Sequence, residues 1–207
     1  MSNPETALAR SPLAAVTALS TPAAAGNPCG VLLEEIPAGV TLQIIARQGK
    51  AEAVRAALRT ATGLDAPTTP ARVAKDGVAL VWSGPAQWLL MLDAAAAPAI
   101  ADKFAAALAG HASISDQSDA RVHLRLSGPH VRSALEKLVG IDVHPDAFVP
   151  GAAAMTAIAD MAVHLWRLPD ASNGAAFVIA GAQSTAISLW HHVVTAAEEY
   201  GLDARRV

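Results

Sequence analysis

The feature that most limits how this chain can fold is an order of elements written twice. In the stretch VTLQIIAR, Val40, Leu42 and Ile44 alternate with Thr41 and Gln43, as in a half-buried strand. The next stretch, GKAEAVRAALRTATG, puts Val54, Leu58 and Ala61 on one helical face and Glu52, Arg55 and Arg59 elsewhere, and Gly63 ends it. After a Pro- and Thr-rich loop come two apolar strands, GVALVW and QWLLML, joined by hairpin chemistry at Ser83-Gly84-Pro85-Ala86. A second helix then carries Ile100, Phe104 and Leu108 at helical spacing. The second half repeats the order. It has strand RVHLRL, helix PHVRSALEKLVG with Val131, Ala134, Leu135 and Leu138 on one face, strands in MTAIAD, AVHLWRL and AAFVIA, and the long helix STAISLWHHVVTAAEEYG. Duplicated strand-helix-strand-strand-helix units predict an α+β protein whose antiparallel sheets are covered by helices.

Residues 1–38 have no such period. Pro4, Pro12, Pro22, Pro28 and Pro37 stand among Ala, Thr and Gly, which predicts an extended arm ahead of a single domain, 39–207, made of halves at about 39–110 and 111–207. The arm is not low in hydrophobicity, so it suits wrapping a partner. Composition points the same way: 53% of residues are hydrophobic and only 16% charged, below the roughly 25% of an ordinary soluble domain. Either the solvent surface is small or another protein covers part of it. A net charge of −3 without Lys or Arg clusters gives no footprint for nucleic acid or anionic lipid. The single cysteine, Cys29, has no internal disulfide partner, which fits a cytoplasmic setting. Apolar runs are broken by Pro98 or Asp160 and fall short of the roughly 20 residues of a membrane span.

Residues that could carry chemistry are few. Ser-Gly-Pro occurs at 83–85 and 127–129, each time after a strand. The first reads as a hairpin turn, the second as a helix start with Ser or Gly as N-cap and Pro129 in the first turn. A phosphate cradle needs converging N–H groups, and proline removes one. His191 and His192, adjacent on a helix, lie about 100° apart around its axis and cannot aim at one ion. His123 and Arg125 share the polar face of a strand whose other face is Val122, Leu124 and Leu126, so solvent or a partner surface is expected there. Trp82, Trp88, Trp166 and Trp190 read first as core packing and second as interface. No nucleotide-binding, serine-hydrolase or zinc-protease motif occurs, so no catalytic or metal-binding residue is expected.

Two resemblances add to this reading. The second half, with its Asp-x-Ser strand, Ser-Gly-Pro helix start and Pro150-Gly151 before a strand pair, resembles the folate-binding fold of the glycine-cleavage aminomethyltransferase. More of the chain, from about Ser11 to Tyr200, is similar to the gamma subunits of heterotetrameric sarcosine oxidase. The segments SPLA, WSGPAQWLLML, DQSDARVHLRLSGP and SLWHHVVTAAEEYG carry that likeness. It implies an accessory gamma chain beside alpha, beta and delta subunits, in a complex that oxidises sarcosine to glycine and hydrogen peroxide with tetrahydrofolate as one-carbon acceptor. It also implies that FAD, FMN, NAD and zinc belong to the partner subunits. Asp160 falls at or beside the position where aminomethyltransferases hold folate, but the surrounding TAIADMAV lacks the family's glycines. Two alternatives follow: a stand-alone folate-dependent transferase or folate-binding protein using Asp160, and an accessory subunit of an oxidase for a related N-methyl amino acid.

Overall fold

The computed structural model describes residues 11–14, 16, 19–21, 29–37, 39–97, 104 and 107–205. One sheet has five strands: β3 (Val40–Ala46), β4 (Arg72–Lys75), β5 (Val78–Gly84), β6 (Gln87–Leu92) and β7 (Ala112–Asp116), in the order β4-β5-β6-β3-β7. The other has seven: β1 (Leu19–Thr21), β2 (Val31–Ile36), β8 (Arg121–Ser127), β9 (Ala153–Ile158), β10 (Met161–Ala171), β11 (Gly174–Ala182) and β12 (Leu202–Arg205). Its order is β1-β12-β2-β8-β11-β10-β9. Neighbouring strands run antiparallel except β12 and β2, which are parallel. Among the described residues, three α-helices accompany them: α1 (Ala51–Thr62), α2 (Val131–Glu136) and α3 (Ala186–Ala197).

The duplication is visible in strand order. The series β3-α1-β4-β5-β6 builds β4-β5-β6-β3, and β8-α2-β9-β10-β11 builds the equivalent β9-β10-β11-β8. A strand precedes each series and crosses to the other sheet. Thus β7 completes the first sheet beside β3, and β2 joins the second beside β8. This exchange ties the halves together, because neither sheet is complete without the other half's chain.

It also corrects the expected arm. Val31–Ile36 is an interior strand with alternating burial, Val31 and Leu33 being fully buried. Earlier in the chain, Leu13 and Val16 sink into the same core, and Leu19–Thr21 pairs with β12. Prolines and glycines around these short stretches hid their periodicity. The described part of 1–38 is therefore built into the domain. Its remaining residues lie outside the described ones.

Three apolar layers result. Helix α1 lays Val54 and Leu58 on one face of the five-stranded sheet, against Ile44, Leu80, Trp88 and Leu90. It ends as its sequence foretells, with Gly63 at φ 70° donating its N–H to the Arg59 carbonyl. Of the expected second helix, Phe104 and Leu108 are buried in this core and joined by a 3.0 Å backbone bond, while Ile100 lies outside the described residues. Helices α2 and α3 cover the outer face of the seven-stranded sheet, over Leu124, Leu165, Phe177 and Ile179. Between the sheets lies a third layer of Val81, Leu89, Ala153, Trp166, Val178 and Ala180. A backbone link closes one side of it, from Arg72 N–H to Gly151 O at 2.7 Å and from Ala153 N–H to Pro70 O at 3.4 Å.

Candidate functional site

Both Ser-Gly-Pro segments are structural. Pro85 and Ala86 turn the β5–β6 hairpin, with Ala86 at φ 57°. At the second, α2 begins at Val131 with His130 as N-cap, so Pro129 lies just outside the helix instead of in its first turn. Close backbone packing requires the glycine: at φ 133°, a Cβ on Gly128 would meet Gly30 O at 2.4 Å. The N–H groups that a phosphate would need are already used, Gly128 N–H by Ala175 O and His130 N–H by Gly30 O.

Asp160 sits exposed at the tip of the two-residue turn between β9 and β10, beside Ala159 at φ 51°. His191 and His192 are exposed on α3 and line a surface groove of about 600 Å³ with Lys137, Leu138, Ser188 and Thr195. Among the described residues, no three His, Cys, Asp or Glu side chains come together as a metal site. Among them, too, no helix is long and apolar enough to cross a membrane.

The chemistry-bearing residues that the fold gathers lie between the sheets. Ser83 on β5 and His164 on β10, from opposite sheets, meet at 2.9 Å between Oγ and Nε2, both buried. Behind His164, a guanidinium nitrogen of Arg121 on β8 approaches Nδ1 at 3.4 Å. His123, two residues on, packs against Trp166 with ring centroids 6.1 Å apart. The expectation of solvent or a partner surface fails for His123, which is only 1% exposed. Strand β8 has helices on one side and the other sheet beyond its polar side, so alternation marked two buried faces. Arg125 is half-buried and pairs with Glu34 at 3.5 Å. Three of the four tryptophans, Trp88, Trp166 and Trp190, are core residues, while Trp82 is partly exposed.

Electrostatics fixes what this cluster can do. Burial, and then the Arg121 charge, pushes His123 down to about 4. Burial, Arg121 and then His123 do the same to His164. Both rings are neutral at physiological pH. A guanidinium only donates, so Nδ1 of His164 is the acceptor and its proton resides on Nε2, which donates to Ser83 Oγ. In that tautomer His164 cannot take a proton from Ser83, the reverse of an activated nucleophile. The pair acts as a bolt between the sheets. His123 makes no hydrogen bond from either ring nitrogen, and the Nε of Arg121 is likewise buried and unbonded. Sequence inspection singled out His123 but missed Ser83, His164 and Arg121 as a group. Their separations of 81 and 43 residues leave no local signal.

The family of the chain is decided by comparison with known proteins. The model of a family described as sarcosine oxidase, gamma subunit matches residues 47–196. The chain belongs to the sarcosine oxidase gamma subunit family. A sarcosine oxidase subunit gamma from Corynebacterium sp. (strain U-96) is 34% identical over 170 residues, covering 81% of each chain. Its counterpart from an Arthrobacter species is 33% identical over 169 residues, again covering 81% of each. A chain of the heterotetrameric sarcosine oxidase from Corynebacterium sp. U-96, solved in complex with pyrrole 2-carboxylate, superposes with a TM-score of 0.79 at 31% identity. That match covers 93% of this chain and 96% of the other. The glycine cleavage system aminomethyltransferase T from Bartonella henselae shares the fold, with a TM-score of 0.59 at 15% identity over 80% of this gamma-family chain and 46% of its own.

Proposed function

We propose that this chain is the accessory gamma subunit of a heterotetrameric sarcosine oxidase and does not itself catalyse. The complex would demethylate sarcosine to glycine, with tetrahydrofolate as one-carbon acceptor and hydrogen peroxide as product. FAD, FMN, NAD and zinc would be held by the alpha, beta and delta partners. The observation that carries this reading is the near full-length match, in both sequence and fold, to a chain of a solved heterotetrameric sarcosine oxidase. The Ser83–His164 pair supports it, since its tautomer suits joining two sheets and not proton abstraction. The transferase alternative gains nothing from Asp160, whose exposed hairpin tip offers no enclosure for a pterin.

Co-expression with the other subunits tests the reading. This chain should co-purify with them in equal stoichiometry, and alone it should be colourless and inert toward sarcosine. Stoichiometric flavin on the purified single chain, or failure of the wild-type chain to assemble, would overturn it.

A further inference from the structure

The two sheets do not cover each other at one end. Ile45 pairs in register with Gln87, and Met155 with His164, which places both on the faces turned toward the opposite sheet. Yet they are 40% and 51% exposed. Ala157 and Ala162, register partners on the same face as Met155, are exposed as well. At this end the inner faces of the sandwich leave apolar side chains uncovered, and the buried contacts of Ser83, His164 and Arg121 lie on the same inner faces.

Arg121 is the cation without a counter-charge there; Arg72, on the β4 edge strand, likewise has no carboxylate partner among the described residues and a buried, unbonded Nε. Arg55, Arg125, Arg167 and Arg205 each face a carboxylate, Glu52, Glu34, Asp170 and Asp203 in turn. Arg121 has none among the described residues. Its Nε is buried without a hydrogen bond, and its one polar contact is the long approach to a neutral histidine. Burial is the sole influence on its pKa, which is lowered. A half-buried guanidinium without a counter-charge has lost water and gained only one long hydrogen bond to a neutral ring in return. Exposed apolar side chains on the same faces as an uncompensated cation form one half of an interface core; the complementary half is an anion set in apolar surroundings.

We propose that this uncovered end of the sandwich is the seat of a partner subunit of the oxidase, which inserts a carboxylate side chain, flanked by apolar residues, against Arg121. The proposal rests on the subunit reading above and adds where and by what chemistry the subunit is held. The Arg121 guanidinium offers two parallel N–H donors to the carboxylate, a geometry lysine cannot match. Ile45 and Met155 would exclude water from the pair.

The test compares wild type with Arg121→Met, Arg121→Glu and Arg121→Lys, as full chains alone and titrated into the remaining subunits. Arg121→Met keeps the apolar stem and removes the charge, so the lone variant should melt at or above the wild-type temperature. Its affinity for the other subunits should fall about thirtyfold or more, as when one member of a buried charge pair is removed. Arg121→Glu should bind more weakly still, and Arg121→Lys should recover part of the loss. A wild-type chain that assembles while Arg121→Glu assembles equally tightly refutes the docking and leaves the subunit reading intact. A lower melting temperature for the lone Arg121→Met chain would make Arg121 an internal strut and also refute it. So would millimolar acetate that raises the melting temperature of wild type but not of Arg121→Met, since Arg121 would then hold a free carboxylate.

Discussion

Leu124 and His123 are neighbours on one strand, both buried, and they belong to different kinds of interior. Leu124 points to the helix-covered face, among Leu126, Leu165, Phe177 and Ile179. His123 points to the other sheet, into a layer that holds Ser83, His164 and the edge of Arg121 beside Val178 and Ala180. The outer layers are held mainly by apolar burial, and polar groups within them, such as Glu35, Arg167 and the Trp88 indole, have hydrogen-bond partners. The inner layer mixes apolar contacts with polar groups that are only partly satisfied. The difference teaches that the outer layers supply stability and the inner one supplies registry between the sheets, and that the inner one is open to further contacts at its end.

The largest effect should come from the outer layer. Leu124→Ala removes a fully buried side chain from a packed face. It should lower the unfolding free energy by about 2–5 kcal/mol, read by urea denaturation of the full chain. A loss no larger than that of an inner-layer substitution would erase the distinction between the layers.

Acid should act through the inner layer. His123 and His164 titrate at about 4 when folded, against 6.5 when exposed. A depressed base takes up its proton in the unfolded state first, so stability is complete above pH 6.5 and is lost as the pH falls from 6.5 toward 4. Each histidine contributes at most about 3 kcal/mol across that window. The urea midpoint should therefore drop between pH 7.5 and pH 5 in wild type. A variant with both histidines replaced by apolar residues should show a flatter profile, and an equal drop in both would show that the inner layer is not the pH-sensitive one.

How far the sequence discloses this architecture follows the same division. Outer faces were legible: the alternation in VTLQIIAR, the stripe of Val54 and Leu58, and the apolar side of RVHLRL all face the cores they predict. Inner faces were not, because a strand buried on both sides carries its second set of contacts with residues far away in the chain. Short strands were lost as well. Strand β4 lies in the stretch that reads as a Pro- and Thr-rich loop, although Asp76-Gly77, with φ of 48° and 78°, is the hairpin turn that announces it. Strand β2 hid its alternation because Glu34 and Glu35 follow each other and only one of them faces the core. Glu35 is tolerated there because Ser11 donates to it at 2.5 Å.

Within the inner layer, bonded and unbonded groups should part company. Ser83→Ala leaves the His164 Nε2–H without an acceptor and should cost about 1–3 kcal/mol. His123→Leu removes two nitrogens that bond to nothing and should leave stability unchanged or slightly raised. Opposite signs at two buried polar residues, in the same urea experiment, would sharpen the comparison. Equal losses would mean that His123 is valued for its shape against Trp166 and not penalised for its nitrogens.

The smallest effects belong to the exposed β9–β10 turn, outside both kinds of layer. Ala159 adopts φ 51° at the first turn position, a conformation in which an L side chain is strained and glycine is not. Ala159→Gly should therefore stabilise the chain by less than about 1 kcal/mol, the relief of strain being partly offset by the freer unfolded chain. Asp160→Asn next to it touches no buried group and should shift stability by no more than about 0.5 kcal/mol. The same substitution separates a turn residue from a folate anchor. A carboxylate gripping a pterin through charge-assisted hydrogen bonds would lose about tenfold or more in affinity on conversion to the amide. An exposed turn carboxylate would lose nothing. Calorimetric titration of tetrahydrofolate into the wild-type chain and into Asp160→Asn should give the same negligible heat, whereas micromolar binding abolished by the substitution would move the proposed function of this chain from assembly to one-carbon transfer.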